Sequence, residues 1–226
     1  MILNEFQLNN KQKELFELYY RFLVQENAKM NLTAITEKDE VYIKHFYDSL
    51  KLNDAFLFSQ AKNLLDVGSG AGFPGIPLKI LHPHLKLVII EPTTKRIAFL
   101  QELISLLNLE NVELLNGRAE DIIVNHREQF DVVTARAVAS LPVLLELCLP
   151  YVRVNGMFLA MKGSSYQEEV QESANALRLL DSEILDLTYY QLPEGMGERA
   201  IIKIRKNRKN NMKYPRNYAA IKKKHL

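Results

Sequence analysis

Residues 63–77 read NLLDVGSGAGFPGIP, from Asn63 to Pro77. A short apolar run stops at Asp66, and Gly68, Gly70 and Gly72 follow at alternate positions. Such a stretch reads as a buried strand that ends in a glycine turn and enters a helix. Glycine there lets the chain turn tightly and lets backbone N–H groups approach a ligand without Cβ clashes. Turns of this kind close the first βαβ unit of nucleotide-binding sheets.

Outward from this turn the pattern alternates. Leu64 to Val67 is predicted as the first strand and Gly75 to Leu81 as a short helix. Leu85 to Glu91 is a second strand, Thr94 to Asn108 a helix, and Val112 to Leu115 a third strand. Phe130 to Ala135 is a fourth, Leu141 to Tyr151 a helix, Gly156 to Met161 a fifth strand, and Tyr166 to Leu180 a helix. Two last strands, near 184–192 and 199–205, flank a hairpin loop at Pro193 to Gly197. Alternating βα units require a mainly parallel sheet covered on both faces. A closing hairpin adds an antiparallel strand. The fold class is therefore α/β, a doubly wound, Rossmann-like sheet of the class I methyltransferase type.

Ahead of this core, Asn10 to Met30 has the period of an amphipathic helix, with Leu15, Leu18, Tyr19, Phe22 and Leu23 on its apolar face. Asn9 or Asn10 can cap it. Thr36 and Asp39 resemble a capping box for a second helix through about Leu50, with Ile43, Phe46, Tyr47 and Leu50 on one side. His45 and Asp48 lie three apart on it and lack a third ligand nearby, so hydrogen bonding at a cleft is expected rather than a metal. One domain is expected, divided into a helical extension (1–58), a core (59–206) and a basic tail (207–226).

Composition narrows the class. The chain has 226 residues, 47% of them hydrophobic, and no apolar run of membrane-spanning length. The N-terminus lacks a signal-peptide pattern. The only cysteine, Cys148, sits in an apolar helical run and reads as a buried, inert thiol. A cytoplasmic protein is expected, and a monomer. The formal net charge is +2, yet the segment from Lys203 to Leu226 holds ten Lys/Arg and no acid. Of 29 basic and 27 acidic residues, 19 and 27 remain for residues 1–202, a net of −8. An acidic body with a basic end suits a polyanion partner, and equally a solvated tail.

Several residues carry chemistry. The G-x-G-x-G spacing after Asp66 departs from the dinucleotide G-x-G-x-x-G. S-adenosylmethionine (AdoMet) has no pyrophosphate to seat on a helix, but it has an ammonium that welcomes a carboxylate such as Asp66. AdoMet is thus the favoured cofactor over NAD. Glu91 ends the second strand, 19 residues after Gly72, where a carboxylate can accept both ribose hydroxyls. Ala119 and Glu120, after the third strand, can read the adenine edge; Asp121 can cap the next helix. Arg136 follows the fourth strand, where an arginine can bind a phosphate or a base edge.

These residues, with NLTAI (Asn31 to Ile35), KHFYDSL (Lys44 to Leu50), KRIAFL (Lys95 to Leu100), GRAED (Gly117 to Asp121), FDVVTARAVASL (Phe130 to Leu141) and MKG (Met161 to Gly163), resemble the bacterial small-subunit ribosomal RNA methyltransferase G family, formerly glucose-inhibited division protein B. The resemblance implies AdoMet-dependent methylation of a guanine N7 in 16S rRNA. Its cofactor positions fall on Gly68, Phe73, Ala119, Glu120 and Arg136, beside Asp66, Gly70 and Glu91. Two departures stand out: Glu91-Pro92 occupies a position where many relatives have Asp-Ser, and Asn217 to Ile221 replaces a glycine- and proline-containing stretch. Guanine N7 has no proton to lose, so no general base is expected. Arg136, Asn31 and His45 are expected on the substrate side. The competing readings are an NAD oxidoreductase, a methyltransferase for proteins or small molecules, and a non-catalytic RNA-binding assembly factor on the same fold.

Overall fold

The computed structural model describes residues 2–226. It contains a seven-stranded sheet in the order β3-β2-β1-β4-β5-β7-β6. The strands are β1 (Asn63–Val67), β2 (Lys86–Glu91), β3 (Val112–Asn116), β4 (Phe130–Arg136), β5 (Val152–Lys162), β6 (Ser182–Gln191) and β7 (Glu198–Lys206). The first five run parallel, while β7 lies antiparallel between β5 and β6. The order reverses between β1 and β4. At such a switch point the crossover helices diverge to opposite faces and leave a crevice at the carboxyl ends of the strands.

Period-two alternation fills both faces. Leu64, Val132, Leu159 and Ile201 belong to one core cluster. Their neighbours Leu65, Val133, Phe158 and Ile202 belong to the other. The first face is covered by α1 (Asn10–Met30) and by a helical stretch of α2 (Lys38–Val41), a π-helical turn (Tyr42–Tyr47), α3 (Asp48–Leu50) and α4 (Leu52–Ala55). It is also covered by α5 (Gly75–Leu81) and α6 (Thr94–Leu106). The second face carries α7 (Ala119–Ile122), α8 (Leu141–Cys148), α9 (Tyr166–Glu172), α10 (Ala174–Leu179) and α11 (Tyr218–Lys223).

Asn9 caps α1 in a reciprocal box with Gln12. The Gln12 amide also donates to the carbonyls of Ile80 and Leu81, tying α1 to the end of α5. The buried face of α1 is rotated from the expected one: Phe16, Tyr19, Leu23 and Glu26 are buried, while Leu15, Leu18 and Phe22 are partly so. Aromatic packing decides this, because Phe16 and Tyr19 both meet Phe46 at about 5 Å. The expected capping box at Thr36 does not form. The helix starts at Lys38, and no side chain caps it.

Three boundaries also move. The helix after β4 stops at Cys148. Strand β5 begins at Val152, and its pairing with β4 shifts register between Phe130 and Val132. A Cβ on Gly156 would stand 2.9 Å from the Asp131 carbonyl, so that kink needs glycine. The helix expected over 166–180 breaks at Ser173, whose hydroxyl donates to the Glu169 carbonyl one turn back (2.7 Å). Such back-bonding bends helices.

The chain does not leave the core at Lys206. That lysine is fully buried, with its ammonium on Glu128 and on the Leu149 carbonyl. Asn210, Tyr214 and Ile221 are also buried, and α11 packs beside α8. Arg216 grips the fully buried Glu146 through its backbone N–H, Nε and Nη2 at 2.7–2.9 Å. Of the ten tail cations, Arg205, Lys206 and Arg216 are paired with Glu183, Glu128 and Glu146. The charge pattern concealed this, because a basic residue reads alike whether it faces solvent or a buried acid. Cys148 is fully buried, and burial pushes its thiol well above the usual range. No helix among the described residues is long and apolar enough to cross a membrane.

Candidate functional site

The glycine turn is held by two buried carboxylates. Asp66, at the penultimate position of β1, is wholly inaccessible. Its Oδ2 accepts from the Ser69 hydroxyl (2.7 Å) and from the Gly75 N–H (2.8 Å). It therefore staples the two ends of the turn together. A Cβ on Gly75 would lie 2.8 Å from that oxygen, so glycine is required for the approach. Oδ1 has no partner, an expensive state for a buried oxygen. Burial pushes the Asp66 carboxyl up to about 6, against the lowering influence of its two donors.

Glu91 closes the other side. Its Oε2 accepts from the Gly70 N–H and its Oε1 from the Thr93 N–H, each at 3.0 Å. Each carboxylate oxygen keeps a further lone pair. Gly68, at φ +73°, would place a Cβ 2.6 Å from Val138 Cγ2. Tyr19 of α1 reaches under the turn and donates to the Ala71 carbonyl (2.5 Å).

Two cavities flank this turn. The first, about 150 Å³, lies at the carboxyl ends of β1 and β2 and is lined by Val67, Gly68, Ile90, Pro92, Arg118, Ala119, Glu120, Val138, Leu147 and Tyr218. Burial raises the Glu120 carboxyl above its ordinary range. Gly68, Ala119 and Glu120 are thus brought together as expected, while Asp66, Gly70 and Glu91 form the turn beside them.

The second cavity, about 360 Å³, is lined by Lys44, His45, Asp48, Arg136, Lys162, Glu169 and Arg199 among others. Four cations face two carboxylates there. The π-helical turn sits at this wall and places Lys44, His45 and, just after it, Asp48 on the same side; π turns occur often at functional sites. Arg136 Nη1 donates to Asp48 Oδ2 and to the Lys44 carbonyl, both at 2.9 Å. Asp48 Oδ1 accepts from Tyr190 (2.7 Å), and Arg199 Nε lies 3.6 Å away. Lys162 bridges Glu169 and the Ala139 carbonyl.

Phe73 joins the two regions. It belongs to the turn, and its ring stacks on Tyr19 (5.4 Å) and His45 (4.5 Å), with the Arg136 guanidinium 5.1 Å from its centroid. His45 Nδ1 lies 3.2 Å from Arg136 Nη2, and Nε2 lies 3.0 Å from Thr33 Oγ1. Nδ1 also lies 3.2 Å from the Lys44 carbonyl, which only accepts, whereas the guanidinium only donates, so Nδ1 meets one group that favours each tautomer. Burial first, and Arg136 second, hold the imidazole down to about 3, so it is neutral at pH 7.

Asn31 is not brought to this wall. It is exposed at the left-handed cap of α1 (φ 52°), outside the cavity lining. Thr33, two residues on, makes the contact with His45 instead. Tyr19, Lys162, Glu169, Tyr190, Arg199 and Tyr218 were missed in the sequence. Only Lys162 had a local signal there, within MKG.

A family model described as rRNA small subunit methyltransferase G matches residues 12–195. The chain is 48% identical to the ribosomal RNA small subunit methyltransferase G of Lactobacillus helveticus, over 94% of this chain and 90% of that one. It is 46% identical to the protein of the same name from Streptococcus uberis, over 97% and 93%.

The chain belongs to this family. Both cavities are built from family-matched residues, apart from Tyr218 in the first and Arg199 in the second, which lie beyond residue 195. The fold agrees. An O-methyltransferase from Bacillus cereus, solved in complex with SAH, superposes with a TM-score of 0.57 at 18% identity, covering 87% of this chain and 90% of that one. TYW2 from M. jannaschii, solved in complex with AdoMet, gives 0.56 at 16% identity over 70% and 76%. The class I methyltransferase fold expected from the βα alternation is the observed one, with β7 as its antiparallel strand.

Proposed function

We propose that this member of the small-subunit rRNA methyltransferase G family transfers the methyl group of AdoMet to N7 of a guanine in 16S rRNA, acting as a cytoplasmic monomer. The observation that carries the reading is the placement of Phe73. Its ring ties the carboxylate-held glycine turn to His45 and Arg136, which line the charged second cavity.

The residues at the turn suit AdoMet. The orphaned Asp66 Oδ1 is an acceptor awaiting a donor, as the ammonium of the methionine end would supply. The spare lone pairs of Glu91 suit ribose hydroxyls, and the apolar first cavity beside Ala119 and Glu120 suits adenine. AdoMet supplies an electrophilic methyl group. This chain supplies position and electrostatics.

On the substrate side, Arg136 lines the cavity and is pinned there by Asp48 and by the Lys44 carbonyl. That suits an acceptor-rich guanine edge or an adjacent phosphate. His45 is neutral, and both ring nitrogens are engaged, Nδ1 by Arg136 and the Lys44 carbonyl and Nε2 by Thr33. It therefore offers no base, which matches a nucleophile that carries no proton. His45 instead braces Phe73 and Arg136. With Lys44 paired to Glu40, the cavity keeps only a small positive balance toward RNA.

Incubation of the protein with small ribosomal subunits and with naked rRNA in labelled AdoMet tests the proposal, followed by chemical cleavage at N7-methylguanine. Label in rRNA at one cleavable guanine is expected. Label on another base atom would refute the N7 assignment, and no label in rRNA would refute the substrate. Light scattering after size exclusion should give one chain's mass, 26.1 kDa.

A further inference from the structure

The carboxy-terminal helix lies at an unexpected place. Asn217 caps α11 by accepting from the Ala220 N–H (2.9 Å), and Ile221 is fully buried in the core beneath it. Arg216, one residue before the cap, is locked to buried Glu146. With its entry and its underside fixed, α11 has little freedom in where it presents Tyr218. That ring lines the first cavity together with Gly68, Ile90, Ala119, Glu120 and Val138.

Tyr218 packs against the edge of the second core cluster rather than inside it. The side chain is half-buried, and among the described residues its hydroxyl has no hydrogen-bond partner. Ile221 and Tyr214 supply the buried packing of this segment. Arg118, the residue before Ala119, sets its guanidinium 5.3 Å from the Tyr218 centroid. This cation–π contact orients the ring at the cavity edge. An aromatic ring held at the mouth of a narrow apolar cavity is a surface for a flat heterocycle.

We infer that α11 is a wall of the adenosine site and that Tyr218 packs against the adenine of AdoMet. The inference rests on the cofactor reading above, in which adenine lies along Ala119 and Glu120. It makes the tail part of the cofactor site.

The chain contains no tryptophan, so Tyr218→Trp creates a single indole, excited apart from the tyrosines, at the site. Titration of AdoMet into this variant should change its emission saturably. In calorimetry, Tyr218→Ala should bind AdoMet about tenfold more weakly than the unaltered protein, the scale of one base–aromatic contact. Its melting curve verifies folding, and if it fails to fold the Tyr218→Trp emission decides. Two results overturn this inference alone: AdoMet binding equally well to the unaltered protein and to folded Tyr218→Ala, or AdoMet binding to Tyr218→Trp with no change in its indole emission. Failure of the unaltered protein to bind AdoMet overturns the cofactor reading and this inference with it.

Discussion

Arg136 Nη1 donates to Asp48 Oδ2 at 2.9 Å, across 88 positions of sequence, and so locks the end of β4 to the start of α3. The same carboxylate receives Tyr190 from β6 and faces Arg199 from β7. One buried acid thereby sets two cations at the substrate wall.

Asp48→Ala should therefore affect fold and chemistry together. It leaves a guanidinium and a phenol without their acceptor in a largely buried place. Breaking a buried pair in this way costs about 3–5 kcal/mol. The loss should appear as a lower melting temperature, and methyl transfer should fall at least about tenfold because Arg136 is released. Tyr190→Phe removes one hydrogen bond and should cost about 1 kcal/mol. AdoMet affinity measured by calorimetry should change little in Tyr190→Phe, and in Asp48→Ala it should fall less than methyl transfer does, since Arg136 is expected at both a cofactor and a substrate position. A tenfold loss of AdoMet binding with unchanged transfer per bound cofactor would place Asp48 on the wrong side of the site.

Asp66 should trade stability for binding. Its folded carboxyl titrates near 6, above the ordinary 3.8. The native state therefore holds the proton more tightly than the unfolded chain. Stability from this group is complete below about 4, falls as pH rises through 4 to 6, and stays lost above 6. The penalty is about 3 kcal/mol. Asp66→Asn keeps an acceptor for Ser69 and Gly75 without the charge. Its melting temperature should exceed that of the unaltered protein at pH 7.5, and the two should converge at pH 4. AdoMet binding should weaken. A stability difference independent of pH would show that Asp66 is not the titrating group.

His45 has the opposite sign. Its folded imidazole is held near 3, below the ordinary 6.5. The unfolded chain binds the proton first, so stability is full above 6.5 and declines as pH falls toward 3. By pH 5 the decline is about 2 kcal/mol. His82, held down to about 4 by burial, acts in the same direction. Chemical denaturation of His45→Gln between pH 7.5 and 5 should therefore show a shallower loss than the unaltered protein, but some loss should remain. Identical slopes would mean that His45 takes up its proton in the folded protein as readily as in the unfolded chain.

The tail demands a finer test than truncation. Removal of residues 206–226 takes away buried Lys206, Tyr214 and Ile221 and unpairs Glu146 and Glu128. Such a protein should unfold at lower temperature whatever its role in RNA binding. Lys222→Gln, Lys223→Gln and Lys224→Gln change exposed groups only. The triple variant should melt normally and bind rRNA more weakly. Its slope of log affinity against log salt should be shallower by about 2, at roughly 0.7 per phosphate contact. An unaltered slope would remove these lysines from the RNA interface.

Much of the architecture was legible because it is local. Alternating apolar runs separated by turns specify βα units, and the sheet must then be parallel and buried on both faces. Ile43, Phe46, Tyr47 and Leu50 are buried as their spacing demanded. The glycine turn was legible for the same reason: Gly68 and Gly72 have positive φ, and Gly75 has no room for a Cβ beside Asp66. Element ends were less legible where one side chain decides, as at Ser173, or where a distant ring does, as in the rotation of α1.

The sequence by itself determined the order of elements, the glycine turn with its flanking acids, and the family. Each is written in neighbouring residues whose spacing the backbone translates directly. Only the tertiary structure decided which groups meet. Tyr190 reaches Asp48 across 142 positions, Arg216 reaches Glu146 across 70, and Thr33 rather than Asn31 meets His45. It also decided that a basic tail folds back to the mouth of the first cavity. Such contacts depend on which buried carboxylates remain unpaired once the sheet has closed. That depends on packing across the whole chain, and no local pattern records it.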